Sequence, residues 1–323
     1  MIDIALRTRA AAALIVGLMP FGPTPAQAQS LSTTWVSRSG SDENNCFHAT
    51  PCRTLQEAHD KSSANAEIRC LDAGTFGAIT ITKSVTIDCS SVENGQALGG
   101  TEGITINTAG IDVLVRGLDF NGNGNSGEGI WFRAGHSLTV EGCLLHNQFY
   151  NGTGIRFAPT LAAQLTVIDS LIRRNGTTTN GVNGGIVIKP TASGYASVQI
   201  INSKIVGNGT AAVLVDTTAA TGSSTNVSIE GSSLSNSRYG VFVSAPVSNA
   251  RATVTVSRST VTGNIVAGLY TTGGGAVIRI TDSIISGNTA GVENAGGTLV
   301  SYGNNVVAGN GTNGTFSGVA PLM

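Results

Sequence analysis

Charge is scarce in this 323-residue chain. Asp, Glu, Lys and Arg make up 11 % of it and balance to a net −1. A near-neutral chain has no field with which to gather nucleic acid or an anionic membrane surface, so neither is an expected partner. Helices ordinarily draw more heavily on Glu, Lys and Leu, so the shortage also argues against a helical protein. No stretch is long and apolar enough to span a bilayer. No cysteine or histidine spacing suits zinc, and no cluster of carboxylates stands out as a Ca²⁺ site, so no metal is expected from the residues themselves. What abounds instead is Gly, Ser, Thr, Asn and β-branched residues, a composition for many short strands joined by tight turns.

The N-terminus reads as a secretory leader. Arg7 and Arg9 precede an apolar run from Ala10 to Leu18, prolines break it, and Ala26-Gln27-Ala28 offers small residues for cleavage. Residues 1–28 are therefore expected to be removed, and the mature chain to be secreted or periplasmic. Five cysteines fit that oxidising setting. Cys46 and Cys52 could close a small ring. Cys70 and Cys89 each follow an inward isoleucine by two and should stack on neighbouring coils. Their Cα separation would allow a bridge, but parallel Cβ atoms about 4.8 Å apart are slightly too far for ideal geometry, which leaves that bridge open. Cys143 is left over, as a buried thiol or a reactive one.

From Gly103 onward three short segments recur in order. The first starts with Gly or Ala, at Gly103, Gly129, Gly154, Gly185, Ala212, Gly240, Gly268 and Gly291. The second alternates apolar residues, as in Leu138 and Val140 or Val198 and Ile200. The third follows a small residue and points one apolar side chain inward, from Phe120 and Leu145 to Val307. Three residues after each comes a polar column: Asn123, Gln148, Asn175, Asn208, Ser237, Asn264, Asn288 and Asn310. Asn tolerates left-handed backbone angles, and its amide both donates and accepts, so a stacked column could bond from coil to coil. Period-two alternation means strands. A repeat of this length cannot bury its apolar face alone, and coiling one repeat on the next does, so the chain reads as a solenoid.

Thr54 to Ser62 reads as a short helix with Leu55 and Ala58 on one side, a cap over the first coil. Residues 29–66 would form this N-terminal strand, loop and cap, and residues 67–323 the solenoid. The segment Pro51-Cys52-Arg53-Thr54-Leu55-Gln56-Glu57-Ala58, the turn Gly74-Thr75-Phe76-Gly77 and the coils with their Asn column resemble the pectate-lyase-like superfamily, in particular its exported bacterial members with no assigned activity. The resemblance spans essentially the mature chain. It implies an all-β, right-handed parallel β-helix of about ten coils. It is specific for fold and poor for activity, because lyases, hydrolases, esterases, epimerases and adhesins share the architecture. Ca²⁺ enters only as an analogy with lyases of that superfamily, and otherwise no cofactor is evident. The signature motifs of its polygalacturonases, classical pectate lyases, pectin methylesterases and mannuronan epimerases are absent.

Two surfaces could carry function. Asn121, His146 and Arg173 fall in one outward column with Asp119 a pleat away, and Arg116 and Glu141 share another. Loops from Asn121 to Glu128, Gln148 to Thr153 and Asn175 to Gly184 leave one corner and could wall a groove. His146 as base and Arg173 as cation would suit β-elimination. Glu141 with Asp169 would suit hydrolysis, although the two are offset by one position. The plainer reading is a solvated polar face. The second surface is the outward column of the first segment, from Thr105 and Trp131 through Arg156, Val187 and Leu214 to Phe242, Tyr270 and Glu293. Such an apolar stripe marks a glycan contact, a self-association surface, or a strip covered by the chain itself. Trp131, Phe242, Tyr270 and Tyr150 could stack on sugars, with Arg156 gripping an acidic group. Three functions follow. The leading one is an exported β-helix that binds a polysaccharide or cell-surface glycan without catalysis. The others are an atypical polysaccharide lyase or glycoside hydrolase, and a self-assembling surface protein forming homo-oligomers through the stripe.

Overall fold

The computed structural model of the chain describes residues 31–92, 96–97, 103–124, 127–177, 181–222 and 224–321, so the expected leader lies outside the described residues. Three parallel sheets wrap one core in about nine turns, with 9, 12 and 10 strands. The first sheet runs from Ile79–Ile81 to Ala290–Ala295, the second from Leu31–Val36 to Gly318–Val319, the third from Gly74–Thr75 to Val306–Val307. Each coil contributes one strand to each sheet, so residues a coil apart are vertical neighbours. The inner ladder of the second sheet is apolar throughout its middle: Ile87, Val115, Val140, Val167, Ile200, Ile229, Val256 and Ile280 pair in register and are fully buried. Each such side chain contributes about 1.5–3 kcal/mol. Phe132 and Phe157 stack inside the first sheet with ring centroids 4.5 Å apart.

Glycine opens the first strand because two coils approach there. A Cβ on Gly154 would lie 2.6 Å from the Gly185 carbonyl oxygen. Ala212 stands at the equivalent place and is fully buried, so a methyl is accommodated in that coil.

The corner after the third strand holds a ladder of buried amides. Asn175 and its successor illustrate it: the Asn175 backbone N–H and Nδ2 both donate to Asn208 Oδ1 at 3.1 Å, while Nδ2 also donates to the Leu145 carbonyl. Asn264 binds Asn288, and Asn288 binds Asn310, in the same way. Ser237 takes a rung with its hydroxyl. Two sequence expectations are corrected. The left-handed angle does not fall on the ladder residues but on the residue before each, such as Arg174 (φ 54), Gly207 (φ 64) and Gly263 (φ 66). The amide is there for its hydrogen bonds. Asn123 is not a member of the ladder. In its coil Asn123 itself is left-handed (φ 50), which turns the side chain into solvent, and its N–H donates to Asn121 Oδ1.

A second ladder occupies the corner between the second and third sheets. The N–H groups of Cys143, Ser170, Ser203, Ser232 and Ser259 donate to the hydroxyls of Ser170, Ser203, Ser232, Ser259 and Ser283. The serine hydroxyls in turn donate to the carbonyl two residues back. Those serines were visible in sequence as the small residue before each third strand. Cys143 fills the same inward position. It is free and buried, and burial pushes its thiol up to about 12.

The helix Leu55–Lys61 covers the edge strand Ile79–Ile81. Thr54 caps it by accepting the Glu57 N–H. The helix then substitutes side chains for a missing strand: Gln56 Oε1 accepts the Thr80 N–H at 2.8 Å, and His59 Nε2 accepts the Thr82 N–H at 3.3 Å. Disulfides Cys46–Cys52 and Cys70–Cys89 secure this end, with Cα separations of 4.6 and 4.9 Å. The Cys70–Cys89 bridge, which the Cβ spacing of parallel coils had left open, is formed.

Three outcomes follow. His59 accepts through Nε2, so it must be neutral there, and burial holds its pKa below the usual value against the Asp60 contact. The unfolded chain therefore takes up a proton before the folded one. The cap's contribution is complete above about pH 6.5 and declines as pH falls below it, and His59→Gln should flatten that decline in thermal melts. Asn264→Ala orphans the buried Ser237 N–H and should cost at least about 1–3 kcal/mol in urea unfolding, whereas Asn123→Ala should stay within about 0.5 kcal/mol. Cys143 should resist iodoacetamide in the folded, unreduced protein and be alkylated once the chain is unfolded.

Candidate functional site

Corner residues between the second and third sheets take a left-handed backbone, and in two successive coils they are Gly117 (φ 67) and Gly142 (φ 59). The next corner carries Asp169. A Cβ on Gly117 would meet the Ser90 backbone at 2.5 Å, whereas one on Gly142 would meet nothing within 4 Å. Beside these corners lies a groove of about 700 Å³ lined by Ser90, Val92, Arg116, Leu118, Asp119, Glu141, Leu144 and Asp169. Arg116 lies between Asp88 and Glu141 in one outward column of the second sheet. Its Nη1 meets Asp88 Oδ2 at 3.1 Å and its Nη2 meets Glu141 Oε2 at 3.0 Å. Burial alone would raise the Asp88 pKa, but hydrogen bonds from Ser90 and then Arg116 bring it below the ordinary range. Glu141 and Asp169 thus face one groove. The offset between them in sequence is the step from strand end to corner.

His146 sits behind this groove. Its Nε2 is 2.8 Å from Asp119 Oδ1, and its Nδ1 is 2.8 Å from Asn147 Nδ2, which also reaches Asn121 Oδ1. With the Asn147 amide donating to Nδ1, Nε2 is the ring nitrogen that donates a hydrogen bond to Asp119. Both ring nitrogens are engaged and the residue is 8 % exposed. His146 can polarise Asp119 but is not presented as a free base. Arg173 is its register neighbour one coil on and does not line the groove, and its Nε is buried without a partner. Of the four residues expected to carry chemistry, Asp119 and Glu141 line the groove, His146 supports one of them, and Arg173 lies outside.

The outer face of the first sheet carries the second surface. Thr105, Trp131, Arg156, Val187, Leu214, Phe242, Tyr270 and Glu293 pair in register along it. The stripe is not continuous. Val187 and Leu214 are buried (0 and 2 % exposed) in a small cluster with Ala211, Tyr239 and Ala267. Tyr239 leans over from the neighbouring column, with its ring 5.0 Å from Phe242 and 4.9 Å from Tyr270. The chain thus covers the middle of its own stripe, and an oligomer formed along an unbroken stripe loses its centre.

Two half-exposed ends remain. At one, Phe242 and Tyr270 meet edge to face at 5.0 Å. At the other, the Arg133 guanidinium lies 4.1 Å over the Trp131 ring. Arg156 beside it is hydrogen-bonded through Nε to Glu128. Its charge is therefore already opposed, which corrects the expectation of an uncommitted cation. Burial, only partly offset by Arg156, raises the Glu128 pKa. Tyr150 is 65 % exposed in a loop joined to the next coil, where its carbonyl accepts from Thr177 N–H and Asn183 Nδ2.

Among the described residues no three His, Cys, Asp or Glu side chains converge to hold a metal. Of the groove's acids, Glu141 already meets the Arg116 guanidinium and Asp119 already meets His146. These residues do not fit the Ca²⁺ site that analogy with lyases would suggest. No helix among the described residues is long and apolar enough to cross a membrane.

A family model described as a right-handed beta helix region matches residues 67–222. No curated protein matches the chain. Among solved structures, a pectate lyase, Pel9A, superposes with a TM-score of 0.61 at 17 % identity, covering 90 % of this chain and 79 % of that one. At that identity the likeness is one of fold. The three-sheet parallel coil, the family model and the superposition agree that the chain folds as a right-handed parallel β-helix.

Proposed function

We propose that this is an exported protein, with residues 1–28 as leader, 29–66 as cap and 67–323 as β-helix, that holds a polysaccharide or cell-surface glycan on the outer face of its first sheet without turning it over. The observation that carries this reading is the pair of half-exposed aromatic ends on that face. Solvent-facing positions of the second sheet are largely polar, as in Gln164, Ser197, Asn226 and Thr253. The first sheet puts Trp131, Phe242 and Tyr270 in such positions instead. Trp131 and Phe242 are four coil steps apart, about 19 Å at the usual strand spacing. That span suits an extended chain of rings laid along the solenoid, whose apolar faces would stack on the aromatics. The two disulfides fit an oxidising compartment. The likeness of fold to a pectate lyase supports a polysaccharide as the partner class.

One observation favours a second reading, a polysaccharide lyase or glycoside hydrolase. The groove gathers Asp119, Glu141 and Asp169 around Arg116, with His146 on Asp119. Asp119 could take a proton while Arg116 steadies developing negative charge.

A panel of pectin, alginate and host glycans separates the two. The binding reading expects retention with no release of unsaturated or reducing ends. Trp131→Ala or Tyr270→Ala should then weaken retention about tenfold. Release that Asp119→Asn and Glu141→Gln abolish, with the fold intact, would overturn it in favour of the enzyme.

A further inference from the structure

Glu128 begins the strand that carries Trp131, and Arg156 follows Trp131 one coil on in the outward column. The Glu128 residue is 9 % exposed. Its Oε1 accepts from Arg156 Nε, its Oε2 is buried, and Thr153 also hydrogen-bonds the carboxylate. Facing it from the next coil are Arg156 and Thr153, its register partner. Arg133, on the same strand, is turned onto the Trp131 ring. The backbone carbonyl of Glu128 accepts the Gly103 N–H from the preceding coil. The carboxylate is therefore held by the fold against one guanidinium, at the point where a glycan on Trp131 would reach that guanidinium.

We infer that Glu128 sets the charge preference of the glycan-binding face. Ionised, it cancels Arg156, and the face takes an uncharged sugar there. Neutral, it releases the guanidinium to a carboxylate- or sulfate-bearing sugar. The inference rests on the reading that the first sheet binds glycan. Opposed charges in a half-buried setting attract more strongly than in water, so a ligand anion must compete with Glu128 for the same cation. Burial lets Glu128 take up its proton at milder acidity than an ordinary carboxylate, where a uronate is still ionised and Arg156 remains charged. Affinity for anionic sugars should thus rise as pH falls, the reverse of simple protonation of the ligand.

The test is isothermal titration of the full protein with a galacturonate hexamer and a neutral galactose hexamer, at neutral and mildly acidic pH. Wild type should bind the neutral oligomer alike at both and the uronate more tightly in acid. Glu128→Gln keeps the side-chain shape and should bind the uronate about tenfold more tightly than wild type at neutral pH, with the pH response lost. Adding Arg156→Gln should remove that gain. Retained binding of the neutral oligomer shows that each variant is folded. If Glu128→Gln leaves the uronate affinity and its pH response unchanged while the neutral oligomer still binds, the inference falls and the glycan-binding reading stands. If wild type binds neither oligomer, both fall.

Discussion

A backbone N–H at a corner of this coil points at the next turn with no strand partner to receive it. Left alone in the interior it would cost about 1–3 kcal/mol, and two corners repeat the problem in coil after coil. The chain solves it twice, with side-chain amides after the third strand and with serine hydroxyls before it. Each acceptor belongs to the following coil, so every rung locks the height of two turns against each other. Strand register, the apolar inner columns and the outward columns all inherit that lock. The first coils use other means. A disulfide joins Cys70 to Cys89, and Gln56 and His59 reach from the cap helix to receive N–H groups of an edge strand.

Because the corners are so constrained, small changes in them shape the surface. Glycine at 117 lets the Ser90 backbone approach, glycine at 142 leaves open space, and Asp169 at the next corner lines the same groove. The groove's acids are not independent. Glu141 shares Arg116 with Asp88 outside the groove, and Asp119 pairs with His146. On the first sheet the same regularity stacks apolar residues outward, and Val187 and Leu214 are buried there in one cluster with Tyr239. The aromatic ends that escape this cover are what distinguish that face from the polar second sheet.

Much of this was legible beforehand. The inward and outward columns can be read by counting, because a strand alternates with period two and the coil length varies only in loops. Hence the outward row from Thr105 to Glu293 can be counted out residue by residue, and it pairs in register. Counting failed where a corner changed shape. Asn123 holds the ladder position by number, yet the left-handed angle shifted onto it and sent it into solvent. Asp169 looked misaligned with Glu141 because it sits on the corner itself. In the sequence the serine ladder reads only as small residues, since a hydroxyl that replaces a strand partner has no pattern distinct from one that merely fits.

The sequence by itself determined the solenoid, the order of its three sheets, the cap helix and the identity of most inward residues. Those follow from periodicity and from the need to bury apolar faces between repeats, which any folded form of this chain must meet. Only the tertiary structure decided which outward residues are free. Val187 and Leu214 are covered, Arg156 is held by Glu128, His146 has both nitrogens engaged, and Arg173 lies away from the groove. Such pairings depend on rotamers and loop paths across neighbouring coils, where several partners stand within reach and the sequence does not choose among them.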